Sequence, residues 1–260
     1  TLGVSLRLLD ERELQRFAEL AIFPEDIDIP LPALEKLWGM RAIATERLVE
    51  RLDDLSLLLR FDAIRRTIRL HDVVRGFLRQ SEQSPLEYGE KTLPAIHGRF
   101  LDAYGVMRWA DLPADEPYLW DELIYHLIEA DRRDELARTV LDLRYVARKT
   151  HLRDPYAAEA DLTRAVKRLP EDETLKMLKR QYGRMVDVLL EQETEVETML
   201  CMHRRLIGFD VLALLCDTLE AEIPRPFVTA WRTLPDLPHP ALIRALTGHT
   251  DRVRACALGN

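Results

Sequence analysis

Hydrophobic positions recur at helical spacing along most of this chain. Leu14, Phe17, Ala18 and Ala21 lie at i, i+3, i+4 and i+7, which predicts a helix over residues 9–21. Asp10 with Glu13 three residues on makes an approximate capping box at its start. Phe23-Pro24 ends this helix, and Ile27, Ile29 and Leu31 alternate with Asp28 and Pro30 as an extended connector. Pro32 sits where a second helix can begin, with Leu34, Leu37 and Trp38 inward and Gly39 as its stop. A third helix is expected over residues 45–55, burying Leu48, Leu52 and Leu55. The period then changes. Residues 57–61 are a short apolar run, and residues 67–70 alternate so that Ile68 and Leu70 share one face, which reads as a hairpin. His71 and Asp72 follow at once. Val73, Val74, Phe77 and Leu78 then return to helical spacing, with Asp72 where the unpaired N–H groups of a helix N-terminus favour a carboxylate.

Three short helices, a hairpin and a fourth helix is the element order of a winged-helix domain, assigned to residues 1–80. After a polar break at residues 81–85, only helices are expected: residues 93–109, 118–130, 134–143, 156–169, 171–190, 195–206 and 211–221. Short breaks between long amphipathic segments predict an antiparallel α-helical array, an arm over residues 85–222. The fold class expected is therefore mainly α, with a small β-hairpin wing. Residues 223–246 carry Pro224, Pro226, Pro235, Pro238 and Pro240 and read as a Pro-rich linker. In residues 247–260, Val253, Ala255 and Ala257 alternate with polar neighbours as a strand that has no partner strand in the chain. The chain therefore reads as cut from something longer.

Composition narrows the possibilities. Charged residues at 32% and hydrophobic residues at 47% are a normal globular balance. No apolar run is long enough to span a membrane, and no leader pattern is visible at the start. Three well-separated cysteines (Cys201, Cys216 and Cys256) fit free thiols in a reducing cytoplasm, not a disulfide frame. A net charge of −8 disfavours nucleic acid and anionic membranes as partners.

Candidate chemistry is sparse. Gly89-Glu90-Lys91-Thr92 is no phosphate loop: Glu90 interrupts Gly-Lys-Thr and no glycine stands at the upstream position. Glu191, Glu193, Glu195 and Glu197 read as a solvated helix terminus. His97, His126, His151 and His203 lack metal-ligand spacing, and His126 reads as a core histidine. Ser5, Ser56, Ser81 and Ser84 sit in no nucleophile elbow. Trp38, Trp109, Trp120 and Trp231 read as core or interdomain anchors. On the helix over residues 45–55, Glu46, Glu50, Asp53 and Asp54 outnumber Arg47 and Arg51, which repels a DNA backbone. The hairpin's Arg60, Arg65, Arg66 and Arg69 keep a DNA-binding winged-helix regulator as the alternative, or else these arginines meet acidic groups of neighbouring domains.

The segments LAIFPEDIDIP, LEKLWGM, ERLVERLDDLSLL and TIRLHDVVRGFL, in this order, resemble the winged-helix domain of the signal-transduction NTPases with numerous domains (NB-ARC proteins). YLWDELIYHLIEADRRDEL resembles the helical arm of the apoptotic protease-activating-factor-like branch of that family. GHTDRVRACAL resembles the start of a WD-repeat β-propeller. The resemblance implies a non-catalytic regulatory fragment of a WD-repeat signalling ATPase. His71 would be its cofactor-binding residue, reaching the phosphates of ADP bound by a nucleotide-binding domain of the same polypeptide. Exchange for ATP would release the winged helix and permit a homo-oligomer. ADP and ATP would belong to the complete protein and no cofactor to this fragment, whose partners would be the nucleotide-binding domain and the propeller. A plain helical adaptor with no nucleotide partner is the third reading.

Overall fold

The structure is a computed structural model and describes residues 5–80 and 92–228. The polar break at residues 81–85, the Gly89–Lys91 stretch, Trp231, most of the Pro-rich linker, Cys256 and the terminal strand lie outside the described residues.

The caps and stripes of the first segment act as their spacing requires. Helix α1 (Glu11–Glu19) is closed by a reciprocal box. The Glu13 N–H donates to Asp10 Oδ1 (2.8 Å), and the Asp10 N–H donates to Glu13 Oε2 (3.0 Å). A 3-10 turn, Leu20–Ile22, buries all three of its residues, and Phe23 follows it fully into the core. Helix α2 (Leu31–Trp38) stops at Gly39, whose φ of 61° is the left-handed conformation that a residue without Cβ adopts most cheaply. Helix α3 (Ala42–Asp54) begins three residues before its expected start and buries Thr45, Leu48, Val49 and Leu52.

The hairpin has a third strand. β1 (Ile29–Pro30), β2 (Arg60–Asp62) and β3 (Thr67–Arg69) form an antiparallel sheet in the order β1-β3-β2. Ile29 faces Ile68 and Pro30 faces Thr67; on the other side of β3, Phe61 also faces Ile68. The segment expected as a connector is thus an edge strand, where a proline without an N–H is tolerated. Two residues are too few for period-two alternation to announce a strand. The turn between β2 and β3 is organised by Asp62, whose Oδ1 accepts the N–H groups of Ile64 (3.1 Å) and Arg65 (2.9 Å). Helix α4 (Asp72–Gln80) leaves β3 through Leu70 and His71.

The remaining described elements are α5 (Leu93–Asp102), α6 (Pro117–Glu129), α7 (Arg133–Leu141), α8 (Leu143–Leu152), α9 (Pro155–Arg168), α10 (Glu173–Leu189), α11 (Glu195–Leu206) and α12 (Ala213–Glu222), with 3-10 turns at Trp109–Asp111 and Asp210–Leu212. Two expectations are corrected here. The helix expected over residues 93–109 ends at Asp102, because Gly105 turns the chain with φ 64° before the 3-10 turn at Trp109. Helix α8, not expected at all, is capped by Asp142, whose Oδ1 accepts the N–H groups of Arg144 and Tyr145.

The chain forms two compact units, residues 1–136 and 137–260, with the division falling inside α7. In the first, α5 packs on α6, α2 on α3, and α4 and α5 on the 3-10 turn Leu20–Ile22. Residues 93–136, read from sequence as the start of the arm, therefore share the first unit's core. In the second, α8 packs on α9, α11 and α12, while α10 packs on α9 and α11. Aspartates 154 and 172 cap α9 and α10, and Thr194 with Glu197 forms a second capping box on α11. Thr194→Ala is expected to lower stability by about 1 kcal/mol, read as a fall in urea midpoint, while Thr194→Ser changes it little. No helix among the described residues is long and apolar enough to cross a membrane.

Candidate functional site

The residue singled out from sequence, His71, stands at the open end of the sheet. Ile68 and Leu70 are buried, whereas His71, Asp72 and Val73 are exposed. The His71 carbonyl accepts the N–H groups of Val74 (2.8 Å) and Arg75 (3.0 Å), so this residue supplies the first backbone acceptor of α4. Asp72 is the acid of the first turn, where its negative charge meets the positive end of the helix dipole. The His71 imidazole has no partner among the described residues. Its backbone is fixed at the start of α4 while the ring is left exposed.

Helix α4 is anchored on its other face by two arginines at i and i+4. Arg75 is 9% exposed. Its Nε donates to the Phe23 carbonyl (2.6 Å) and its Nη1 to Glu25 Oε1 (2.6 Å). Arg79 donates through Nη1 to the Tyr125 hydroxyl (3.1 Å) and through Nη2 to Glu129 Oε2 (2.7 Å). Burial opposes the charged form of Arg79, but Glu129 and Tyr125 outweigh it and raise its pKa. Through these contacts α4 is tied to the loop after the 3-10 turn and to α6. Arg99 of α5 adds a pair to the buried Glu19 (2.7 Å). None of these arginines stands out in the sequence, because arginines at i and i+4 resemble an ordinary solvated face.

Beneath them lies a buried ring cluster. Phe23 meets Phe100 and Tyr118 edge-on, with centroids 5.8 and 5.5 Å apart. His97 Nδ1 and His126 Nδ1 are 2.8 Å apart, and His126 Nε2 is 2.7 Å from the Tyr118 hydroxyl. In the histidine pair one Nδ1 therefore carries the proton and the other accepts, while His126 Nε2 either donates to the Tyr118 hydroxyl or accepts from it. His97 Nε2, also buried, has no hydrogen-bond partner among the described residues. Burial, and then the charges of Arg79 and Arg75, push the His97 pKa down to about 3. Burial, and then His97, hold His126 well below the usual imidazole range. Both rings are neutral near pH 7. His126 is the core histidine its position implied. Its pairing with His97 is invisible in sequence, since the two lie 29 residues apart on different helices.

The hairpin arginines find their acids within the first unit, not on neighbouring domains. Arg60 and Arg69 both reach Asp28 (2.8 and 2.9 Å), Arg66 reaches Glu35 (3.2 Å) and Arg65 lies 3.9 Å from Asp62. Burial raises the Asp28 pKa, but the two guanidinium groups outweigh it and hold the carboxyl below its ordinary value. Trp38, Trp109 and Trp120 are buried and donate their indole N–H groups to the Arg16 carbonyl, Glu135 Oε1 and the Pro113 carbonyl. Of the four glutamates around residue 194, Glu197 closes the cap and Glu195 pairs with Arg148 (3.4 Å). His203 is buried with Nε2 3.2 Å from Glu220 Oε2. No group of three or more potential metal ligands exists among the described residues.

Comparison with known proteins bears on the helices from α5 to the end of α10. Residues 93–193 match the family model described as the APAF-1 helical domain. The chain is 25% identical over 153 residues to apoptotic protease-activating factor 1 of Danio rerio, covering 58% of this chain and 12% of that protein. It is 25% identical over 156 residues to the Homo sapiens protein, with 59% and 12% coverage, and 23% identical over 155 residues to that of Mus musculus. The matched stretch thus spans about 12% of the length of these relatives. The chain carries an apoptotic protease-activating-factor-like helical region.

Proposed function

We propose that this chain is a non-catalytic regulatory segment of a signalling ATPase related to apoptotic protease-activating factor 1. In this reading residues 1–80 act as a winged helix that closes over ADP held by a nucleotide-binding domain of the same polypeptide. Residues 85–222 are the arm that links it through the Pro-rich linker to a WD-repeat propeller. The observation that carries the reading is the match to the APAF-1 helical domain from residue 93, in a chain whose earlier sheet-to-helix junction bears an exposed histidine with no partner among the described residues. An imidazole N–H placed there can donate to a phosphate oxygen, a bond strengthened by the charge of its acceptor. Loss of that bond on exchange for ATP frees the winged helix, and two states with different interdomain contacts give a nucleotide-dependent switch to a homo-oligomer. The hairpin arginines support this reading over duplex binding, because each already meets a carboxylate. In the longer protein that includes the nucleotide-binding domain, His71→Ala is expected to speed release of fluorescent ADP about tenfold, the loss of one charge-assisted bond. An unchanged release rate removes His71 from the switch.

A further inference from the structure

The fully buried His97 ring has one nitrogen engaged and one idle. Nδ1 is held by His126 of α6, which leaves Nε2 on the far side of the ring, without a partner among the described residues. Besides burial, what acts on this ring is the charge of Arg79 and then of Arg75, both on α4. The same two guanidinium groups converge on the Tyr125 hydroxyl, at 3.1 and 3.4 Å, and the Tyr125 ring meets His97 edge-on with centroids 5.6 Å apart. Tyr125 is thus the hub that joins α4 to His97. A second proton on this ring would set an imidazolium against two cations in a dry site. The acids close by are committed elsewhere: Glu25 to Arg75, Glu129 to Arg79, and Glu19 to Arg99 of α5 itself. The other elements around α5 add no free anion. The turn Leu20–Ile22 is apolar, Arg132 reaches the Gly98 carbonyl, and α2 brings Lys36, over the Tyr104 ring, and Glu35, which meets Arg66.

We propose that His97 is the catch of an acid-released latch: α4 stays seated on Tyr125 while the ring is neutral, and a proton at Nε2 lifts α4 away while α1, α2 and α3 remain folded. Lifting α4 removes both arginines from the ring and opens Nε2 to water, where the imidazolium is favourable. One proton drives the step, because His126 stays enclosed between His97 and Tyr118. The latch stands independently of the nucleotide reading. Where that reading holds, α4 carries His71 at its start, so acid loosens the seat of the same residue.

Amide hydrogen exchange of the 260-residue chain, corrected for the intrinsic effect of pH on exchange and repeated in low urea, tests the latch. Between pH 7 and pH 5 the opening constant of residues 74–79 is expected to rise about 25-fold, the effect of one ring whose pKa moves from about 3 when seated to the ordinary 6.5 when released. At pH 5 these amides open more readily than those of α1, α2 and α3, by a route that responds little to urea. His97→Asn, which keeps an amide for His126 Nδ1 and deletes Nε2, makes the α4 opening equal at the two pH values. In the parent, α4 amides that track α1, α2 and α3 in rate and urea response overturn the proposal, since the whole unit then unfolds together. An α4 opening indifferent to pH in the parent, or a pH response that survives His97→Asn, overturns it as well.

Discussion

Between pH 7 and pH 5 the first unit is expected to lose about 2 kcal/mol of stability through His97, and His126 adds to the loss in the same direction. Both rings are wholly buried and their folded pKa values lie below the ordinary imidazole value of 6.5, His97 at about 3. Above pH 6.5 neither the folded nor the unfolded chain is protonated at these sites, and the stability is fully present. As pH falls below 6.5 the unfolded chain takes up protons that the folded chain refuses. Stability is therefore lost progressively down to the folded values, at about 1.4 kcal/mol per pH unit for each ring. The groups facing the pair reinforce the refusal: Arg75 and Arg79 are cationic, and the Tyr118 hydroxyl remains protonated because burial drives its pKa well up. Asp28 is held below the carboxylate range, so its contribution fails only at lower pH. Glu116, pushed up by burial, acts in the opposite direction and near the carboxylate range. Urea midpoints at pH 7 and pH 5, with amide exchange over residues 93–129 to localise the change, measure the loss. The double variant His97→Leu, His126→Phe should flatten the pH dependence; a slope that survives it contradicts this assignment.

Lys149→Met is expected to destabilise the second unit by about 3 kcal/mol, the cost of taking the buried ammonium from a buried carboxylate that keeps only the half-exposed Arg164, 3.9 Å away. The Lys149 and Asp161 side chains are 2% and 4% exposed, with Nζ and Oδ2 3.1 Å apart. The Tyr145 hydroxyl donates to the same oxygen at 3.1 Å. Burial raises the Asp161 pKa even with Lys149 beside it, so removing the ammonium leaves desolvation to dominate and the carboxyl to take up a proton. Replacing both partners by apolar residues, Lys149→Met with Asp161→Leu, should recover most of the loss, because neither charge is then stranded. A Lys149→Met variant within about 1 kcal/mol of the parent would show that the pair is already solvated.

What the sequence disclosed, and what it did not, follows from the range of the interactions. The α1 capping box, the Gly39 stop and the stripes of α6, α9 and α10 depend on neighbours within a turn or two, and their patterns are visible in the chain. Helix α8 was legible in principle: Asp142 is a cap, and Leu143, Val146, Ala147 and Thr150 lie at i, i+3, i+4 and i+7. Its stripe was obscured because only Asp142 separates it from α7, so the two helices run together as one pattern. Strand β1 was hidden by its length. The features that tie the first unit together join residues 22 to 58 positions apart: Trp38 to Arg16, Arg75 to Phe23, Arg79 to Ala21, His97 to His126. No local period encodes such pairs. The position of His71 was legible because it lies where strand spacing gives way to helix spacing, a change visible in the order of residues alone.

The most direct measurement is the nucleotide content of the purified protein extended upstream of Thr1, for the parent and His71→Ala side by side. The account predicts about one ADP per chain in the parent and a marked loss on substitution, with the far-ultraviolet circular dichroism unchanged. Equal ADP in the two proteins, or none in either, would contradict the claim that this junction is the lid of a nucleotide switch.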